Sequence, residues 1–263
     1  MKKVCVITGA SSGIGKEFFL SISKDSDFKF DEIWVIARRE DRLKELGELC
    51  DIPIKAIPLD LTKESAYREY ETLLEKETPS ISLLINCSGY GKFESTQNIG
   101  CEASLNMIDL NVKATVAMDM ISLKYMKEGS GIINIASVAA YQPIPYINVY
   151  GATKSFVLNF TRALSMEVKK KGIKVMAVCP FWTKTEFFDR AVNQEEDPVV
   201  KTYIAMYEPK DIVRRALGDY KKGKAVSLFG AMTKLQLLGV KLMPVGMVMR
   251  VWMSQQKLWN REK

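Results

Sequence analysis

Short runs of consecutive apolar residues recur along the first 180 positions, and the stretches between them carry apolar residues at helical spacing. Val4-Cys5-Val6-Ile7 and Ile33-Trp34-Val35-Ile36 are typical of the runs. Four to eight such residues fit a strand buried on both faces, whereas a 3.6-residue period fits an amphipathic helix. The pattern predicts strands at 3–8, 32–37, 53–58, 81–86, 131–136 and 173–178, with another near 224–229. Helices are expected to start near Gly13, Asp41, Lys63, Cys101 and Val149. Such alternation defines an α/β, Rossmann-like, doubly wound parallel sheet with helices on both faces. No internal repeat or low-complexity linker interrupts it. The expectation is a single domain over 1–263, divided into a core at 1–180, a substrate-binding region at 181–228 and a helical C-terminal extension at 229–263.

The first strand runs directly into Thr8-Gly9-Ala10-Ser11-Ser12-Gly13-Ile14-Gly15, and a helical pattern follows through Phe18, Phe19 and Ile22. A strand, a glycine turn and a helix N-terminus present backbone N–H groups and a positive dipole end to a pyrophosphate. The second strand ends in Ala37-Arg38-Arg39. A carboxylate at that point accepts the ribose hydroxyls of NAD, whereas arginine accommodates the extra phosphate of NADP. With Ala37 in the carboxylate slot, NADP is favoured. Glu40 and Asp41 come too late to fill the slot and leave NAD as the lesser alternative.

Tyr150 and Lys154 stand four residues apart, with Ser137 thirteen residues upstream. On a helix that spacing puts phenol and ammonium on one face. The cation is expected to lower the tyrosine pKa toward neutrality, suiting it to proton transfer. Tyr220 and Lys224 repeat the spacing, but Gly223 interrupts that helix and no serine precedes it.

Together these segments resemble the classical short-chain dehydrogenase/reductase family over about residues 2 to 228. Asp60-Leu61-Thr62, Asn86-Cys87-Ser88-Gly89, Asn111 and Pro180 followed by Thr183 complete the resemblance. It implies that Asp60 and Leu61 contact the adenine, that Asn86 supports the cofactor, and that Asn111, Ser137, Tyr150 and Lys154 form a catalytic tetrad. Lys154 would also hold the nicotinamide ribose, and Asn111 a water leading protons to Lys154. Gly9, Ser11, Ser12, Gly13, Ile14, Gly15, Arg38, Arg39, Pro180 and Thr183 would complete the cofactor site. Pairing through helices near 101–127 and 149–170 would give a homodimer or homotetramer. Two positions depart from the family pattern. Cys87-Ser88 replace the usual Asn-Ala, and Phe181 replaces a glycine, which puts a bulky side chain at the substrate mouth.

Composition narrows the alternatives. The chain has 263 residues, 47% of them hydrophobic, enough to bury a full core. It contains no histidine, which excludes His-dependent triads and His-liganded metals, and no metal site is expected. Five cysteines without a C-x-x-C fit reduced thiols in a cytoplasmic protein. Met1-Lys2-Lys3 leads straight into the first strand, so no cleavable signal segment is expected.

Net charge is +7, yet residues 201–263 alone carry 13 Lys and Arg against 4 Asp and Glu, so the basic excess is entirely C-terminal. No nucleic-acid-binding module accompanies it, and no nucleic-acid partner is expected. The same region is rich in large apolar residues interrupted by Lys234, Lys241 and Arg250, which leaves no run long enough to span a bilayer. A helix pair broken at Pro244 is expected instead, covering the cleft, lying in a subunit interface or touching a membrane peripherally.

Tyr141, Ile144, Pro145 and Tyr146, then Phe181, Trp182, Phe187, Phe188, Tyr203, Met206 and Tyr207, flank the expected cleft. Pockets so lined bury large apolar ligands with few polar anchors. Ser137, Tyr150, Tyr146, Phe181 and Trp182 are the expected substrate contacts. The expected activity is NADP-dependent interconversion of a ketone and a secondary alcohol on a steroid-like or long-chain acyl substrate. A nucleotide-dependent epimerase or dehydratase, and a non-catalytic NADP-binding protein, are the alternatives.

Overall fold

A computed structural model describes residues 1–192 and 198–260. In chain order its elements are β1 (Lys3–Thr8), α1 (Gly13–Lys24), β2 (Glu32–Ala37), α2 (Glu40–Lys44), β3 (Ile54–Pro58), α3 (Glu64–Glu77) and β4 (Ser80–Asn86). Next come α4 (Thr96–Ile99), α5 (Cys101–Ile108), a π-helical turn at Asp109–Lys113, α6 (Ala114–Leu123), β5 (Gly131–Ile135), α7 (Asn148–Glu167) and β6 (Lys174–Val178). The chain continues through α8 (Phe187–Ala191), α9 (Pro209–Lys221), β7 (Val226–Ser227), α10 (Ala231–Leu242) and α11 (Val245–Gln255). Residues 261–263 of the expected extension lie outside the described residues.

The seven strands form one parallel sheet in the order β3-β2-β1-β4-β5-β6-β7. Successive side chains on a strand point to opposite faces, so continuous apolar runs feed two cores at once. On one face Cys5, Ile7, Ile33, Val35 and Ile85 pack against Phe18, Phe19 and Ile22 of α1 and Ile212, Val213 and Ala216 of α9. On the other, Val4, Val6, Trp34, Ile36 and Leu84 pack against Tyr70 and Leu74 of α3, Met118 of α6 and Leu164 of α7.

Strand order reverses at β1, which has β2 on one side and β4 on the other. Crossovers to opposite faces open a crevice at the carboxyl ends of these two strands. Thr8 Oγ1 fixes the crevice floor by accepting from the backbone N–H groups of Cys87 and Ser88, each at 3.1 Å.

The C-terminal helix pair breaks at Pro244, the N-cap of α11, as proline geometry requires. These helices fold back over the crevice. Trp252 Nε1 donates to the Pro145 carbonyl at 3.0 Å, and Gln256 Oε1 accepts from the backbone of Lys201 and Thr202 at 2.8 and 3.0 Å.

Candidate active site

One cavity of about 440 Å³ runs along the carboxyl edge of the sheet and beneath α10 and α11. Its polar end is the glycine turn. A Cβ on Gly9, where φ is +66°, would lie 2.8 Å from the Cys87 carbonyl carbon, and one on Gly15 would overlap the Gly9 carbonyl oxygen. Only glycine at both positions lets the turn fold this tightly. Ser12 caps α1 without a side-chain hydrogen bond, and no acidic residue stands in the first turn. The helix therefore offers free N–H groups and an uncompensated positive end to an anion.

Gly9, Ser11, Ser12, Gly13, Ile14, Gly15, Arg38, Arg39, Asp60, Leu61, Pro180 and Thr183 all reach the cavity wall. Arg39 donates to Ser11 Oγ at 3.2 Å and faces Glu186 at 3.4 Å, while Arg42 pairs with the same carboxylate at 2.9 Å. Arg38 is exposed. Of the two arginines, Arg39 is the one tied into the polar end.

At the waist of the cavity stand Ser137, Tyr150 and Lys154. Ser137 follows β5 and caps a short 3₁₀ turn, its Oγ accepting from Ala139 N–H at 3.1 Å. That hydroxyl also shares a hydrogen bond with Tyr150. Lys154, one turn on from Tyr150 in α7, donates to the Ile135 carbonyl at 2.7 Å, with its ammonium 5.8 Å from the Tyr150 ring centre.

The electrostatics correct one expectation. Burial pushes the Tyr150 hydroxyl up to about 12, and the opposing pull comes from Ser137 rather than Lys154. Burial also brings the Lys154 ammonium down to about 8, the thiols of Cys87 and Cys179 opposing it. At neutral pH Tyr150 therefore keeps its proton and Lys154 its charge.

Three expected site residues stand off the wall. Asn86 turns inward: its Nδ2 donates to Asp119 Oδ1 at 2.7 Å and Asn134 Oδ1 at 2.9 Å. The wall there is Cys87, Ser88 and Gly89 instead. Asn111 sits in the π-helical turn, where its side chain accepts from Tyr90 N–H at 3.0 Å and donates to the Tyr90 carbonyl at 2.9 Å and Thr153 Oγ1 at 3.0 Å. Such insertions re-aim side chains within a helix. Asn111 Oδ1 and Lys154 Nζ nevertheless close on one spot, 2.9 and 3.3 Å from where Gly89 would carry a Cβ. Tyr146 adopts φ +65° in the loop before α7 and packs into the apolar cluster that includes Ile144 and Ile147, which face the cavity while Tyr146 does not.

The far end is apolar. Tyr150 packs against Phe93 at 6.0 Å and Phe187 at 5.5 Å between ring centres. Phe181, Trp182 and Phe188 continue this wall, and Val240, Met243, Val248 and Trp252 close it from above. Tyr141, Pro145, Tyr203, Met206 and Tyr207 are absent from the wall; Tyr203, for one, stacks edge-on behind Trp182 at 5.2 Å.

Two groups of residues were not anticipated. Asp119, wholly buried on α6, binds Asn86 and Asn134, and burial lifts its carboxyl to about 7 against their hydrogen bonds. The available signal was a pair of asparagines in otherwise apolar strands, which the register sets side by side. Gln236 of α10 also lines the cavity, and its buried Oε1 has no hydrogen-bond partner among the described residues.

Comparison with known proteins fits this arrangement. The family model for short chain dehydrogenases matches residues 3–196. The chain belongs to the short-chain dehydrogenases, a family of oxidoreductases. An uncharacterised oxidoreductase of Staphylococcus epidermidis is 33% identical over 68% of this chain and 77% of its own length. A short-chain dehydrogenase from Sphingobium yanoikuyae, solved in complex with NADPH, superposes with a TM-score of 0.75 at 26% identity, covering 91% of this chain and 93% of that one. The bulky-bulky ketone specific alcohol dehydrogenase of Comamonas testosteroni gives 0.71 at 26% identity, covering 92% of each chain.

Proposed function

We propose that the protein is an NADP(H)-dependent oxidoreductase that interconverts a bulky apolar ketone and its secondary alcohol. The observation that carries this reading is the position of Ser137, Tyr150 and Lys154 at the waist of one cavity, with an anion-binding helix end on one side and an aromatic pocket on the other. The polar end fits a dinucleotide: a glycine cradle, an uncapped helix N-terminus and the Arg38-Arg39 pair beyond Ala37. The likeness to an NADPH complex and to a bulky-ketone enzyme points the same way.

When bound, NADPH supplies the hydride that reduces the carbonyl carbon. The substrate oxygen takes hydrogen bonds from Ser137 and Tyr150, which hold it and stabilise charge as it develops. Tyr150, protonated at neutral pH, transfers its hydroxyl proton to that oxygen. Lys154 places its positive charge beside Tyr150 and would hold the nicotinamide ribose, while Asn111 fixes the Tyr90 backbone next to Gly89 and hydrogen-bonds Thr153, the neighbour of Lys154. Asn86, with Asp119 and Asn134, fixes the strand ends beneath the site.

Residues 1–180 are read as the cofactor-binding and catalytic core, 181–228 as the substrate-binding region and 229–263 as the helical cover, within one domain. A homodimer through α5–α6 and α7 is the assembly we favour, supported by the exposed Leu105, Met120, Phe156 and Met166 on those helices.

NADPH oxidation followed against ketones of increasing apolar size tests the proposal. kcat/KM is expected to rise with size, and Tyr150→Phe to cut turnover by about 10²-fold or more while NADPH still binds. A folded Tyr150→Phe enzyme of near-wild-type rate would exclude the mechanism. A flat size profile would exclude the substrate class.

A further inference from the structure

We propose that the solvent face of α10 and α11 docks on an anionic lipid surface. On α10, Leu235, Leu238 and Leu242 recur at helical spacing and are 62%, 53% and 74% exposed. On α11, Val245, Met247 and Val251 continue this surface, each more than half exposed. A contiguous apolar patch held open to solvent marks an interaction site. Its charge identifies the partner. Lys234, Lys241, Arg250 and Lys257 are exposed beside it, none forms an ion pair among the described residues, and residues 229–260 contain no Asp or Glu.

A second copy fits poorly. A two-fold contact sets the same patch against itself, so these cations would face one another with no carboxylate from the segment to separate them. A bilayer with anionic headgroups satisfies both features, taking the apolar side chains into its interface and the cations at its charged surface. Among the described residues no helix is long and apolar enough to cross a membrane, so docking is parallel to the surface.

The inward faces of these helices line the cavity through Val240, Met243, Val248 and Trp252, and Val251 is both exposed and on the cavity wall. The docked helices thus stand between lipid and active site, and an apolar ketone enters from the bilayer beside Val251. That route rests on the ketone reading. Docking does not, because it is measured without substrate or cofactor, so the two fail separately.

The test is flotation of the full-length protein with phosphatidylcholine vesicles, with and without phosphatidylglycerol. The wild type is expected to float with the anionic vesicles only, and added salt to weaken that binding. Lys234→Glu with Lys241→Glu should lower partitioning by about tenfold or more, since each cation near an anionic surface contributes roughly fivefold. Leu238→Glu with Leu242→Glu should lower it comparably by removing insertion. Both pairs are exposed and off the cavity wall, so folding and reduction of a small soluble ketone should be kept. Wild type that stays unbound on anionic vesicles, or partitioning that survives both pairs, overturns the proposal. So does a Leu238→Glu/Leu242→Glu protein that sediments as a smaller oligomer than wild type, because that assigns the face to a second copy.

Discussion

On the polar side of the cavity, Gly9–Gly15, Arg38–Arg39, Asp60–Leu61 and Cys87–Gly89 each leave the carboxyl end of one of four neighbouring strands. On the apolar side Phe181 and Trp182 stand just past β6, but Phe93, Ile144, Phe187, Val240 and Trp252 come from loops and helices scattered over 160 residues. The first wall inherits its geometry from the sheet, where register and crossover hand leave little freedom. The second is assembled from side chains packed against one another, where any residue of suitable size and polarity serves. Changes on the polar wall should therefore act through charge and fixed geometry, with large and selective effects. Changes on the apolar wall should be smaller and should depend on the substrate used.

The largest contrast is expected at Arg39. It already hydrogen-bonds Ser11 beside the glycine turn, where a guanidinium can grip a phosphate with charge-assisted bonds. Arg39→Gln should raise the KM for NADPH by about 10- to 100-fold, the range for losing a hydrogen bond to a charged group, and change that for NADH far less. Arg38→Gln, at an exposed position, should do less. Equal losses for both cofactors would show that neither arginine reads the phosphate. It would also break the view of this wall as a charge-selective surface.

Lys154 lies where the two walls meet, and pH tests it. Burial disfavours its charged form, so the ammonium loses its proton as pH rises through about 8, well before the Tyr150 hydroxyl titrates near 12. The pH dependence of kcat/KM reports the free enzyme. Ketone reduction should therefore hold its kcat/KM up to about pH 8 and fall about tenfold per unit above it. A fall beginning only above pH 10 would assign the limb to Tyr150 and restore a site in which Lys154 keeps its full charge.

The same division explains what could be read from the chain. β1, β2 and β6 announce themselves because a parallel strand buried on both faces must be apolar throughout, and the turns after them need glycine or charge at fixed offsets. Tyr150 and Lys154 are legible because a helix fixes their spacing, and Gly223 correctly sets Tyr220 apart. Tyr220 is buried against the sheet, and Lys224 pairs with Asp219. Burial was not legible. It decides that Tyr150 titrates high rather than low, that Asn86 turns toward Asp119, and that Tyr146 packs into the apolar cluster of the wall without lining the cavity. Nor could spacing tell which of eleven flanking aromatic and apolar residues face the cavity, because α10 and α11 complete that wall from the far end of the sequence.

Gln236 should give the smallest effect and the sharpest test of the apolar wall. Its side chain lines the cavity from α10 with a buried carbonyl oxygen that no described group satisfies, an arrangement that costs about 1–3 kcal/mol when it persists in the folded state. Leucine fills nearly the same volume, has a higher helix propensity and leaves no unpaired acceptor. Gln236→Leu should therefore raise the melting temperature by a few degrees, since about 1 kcal/mol corresponds to roughly 2–4 °C in a chain of this size. On a wholly apolar ketone, kcat/KM should stay level or rise. On a ketone of similar size with a hydroxyl at its far end it should fall several-fold, because the Gln236 amide is the polar group that α10 places at this wall. A variant that loses stability, or that loses activity equally on both ketones, would mean that Gln236 holds α10 in place and does not select the substrate. The apolar wall would then be as strictly determined as the polar one.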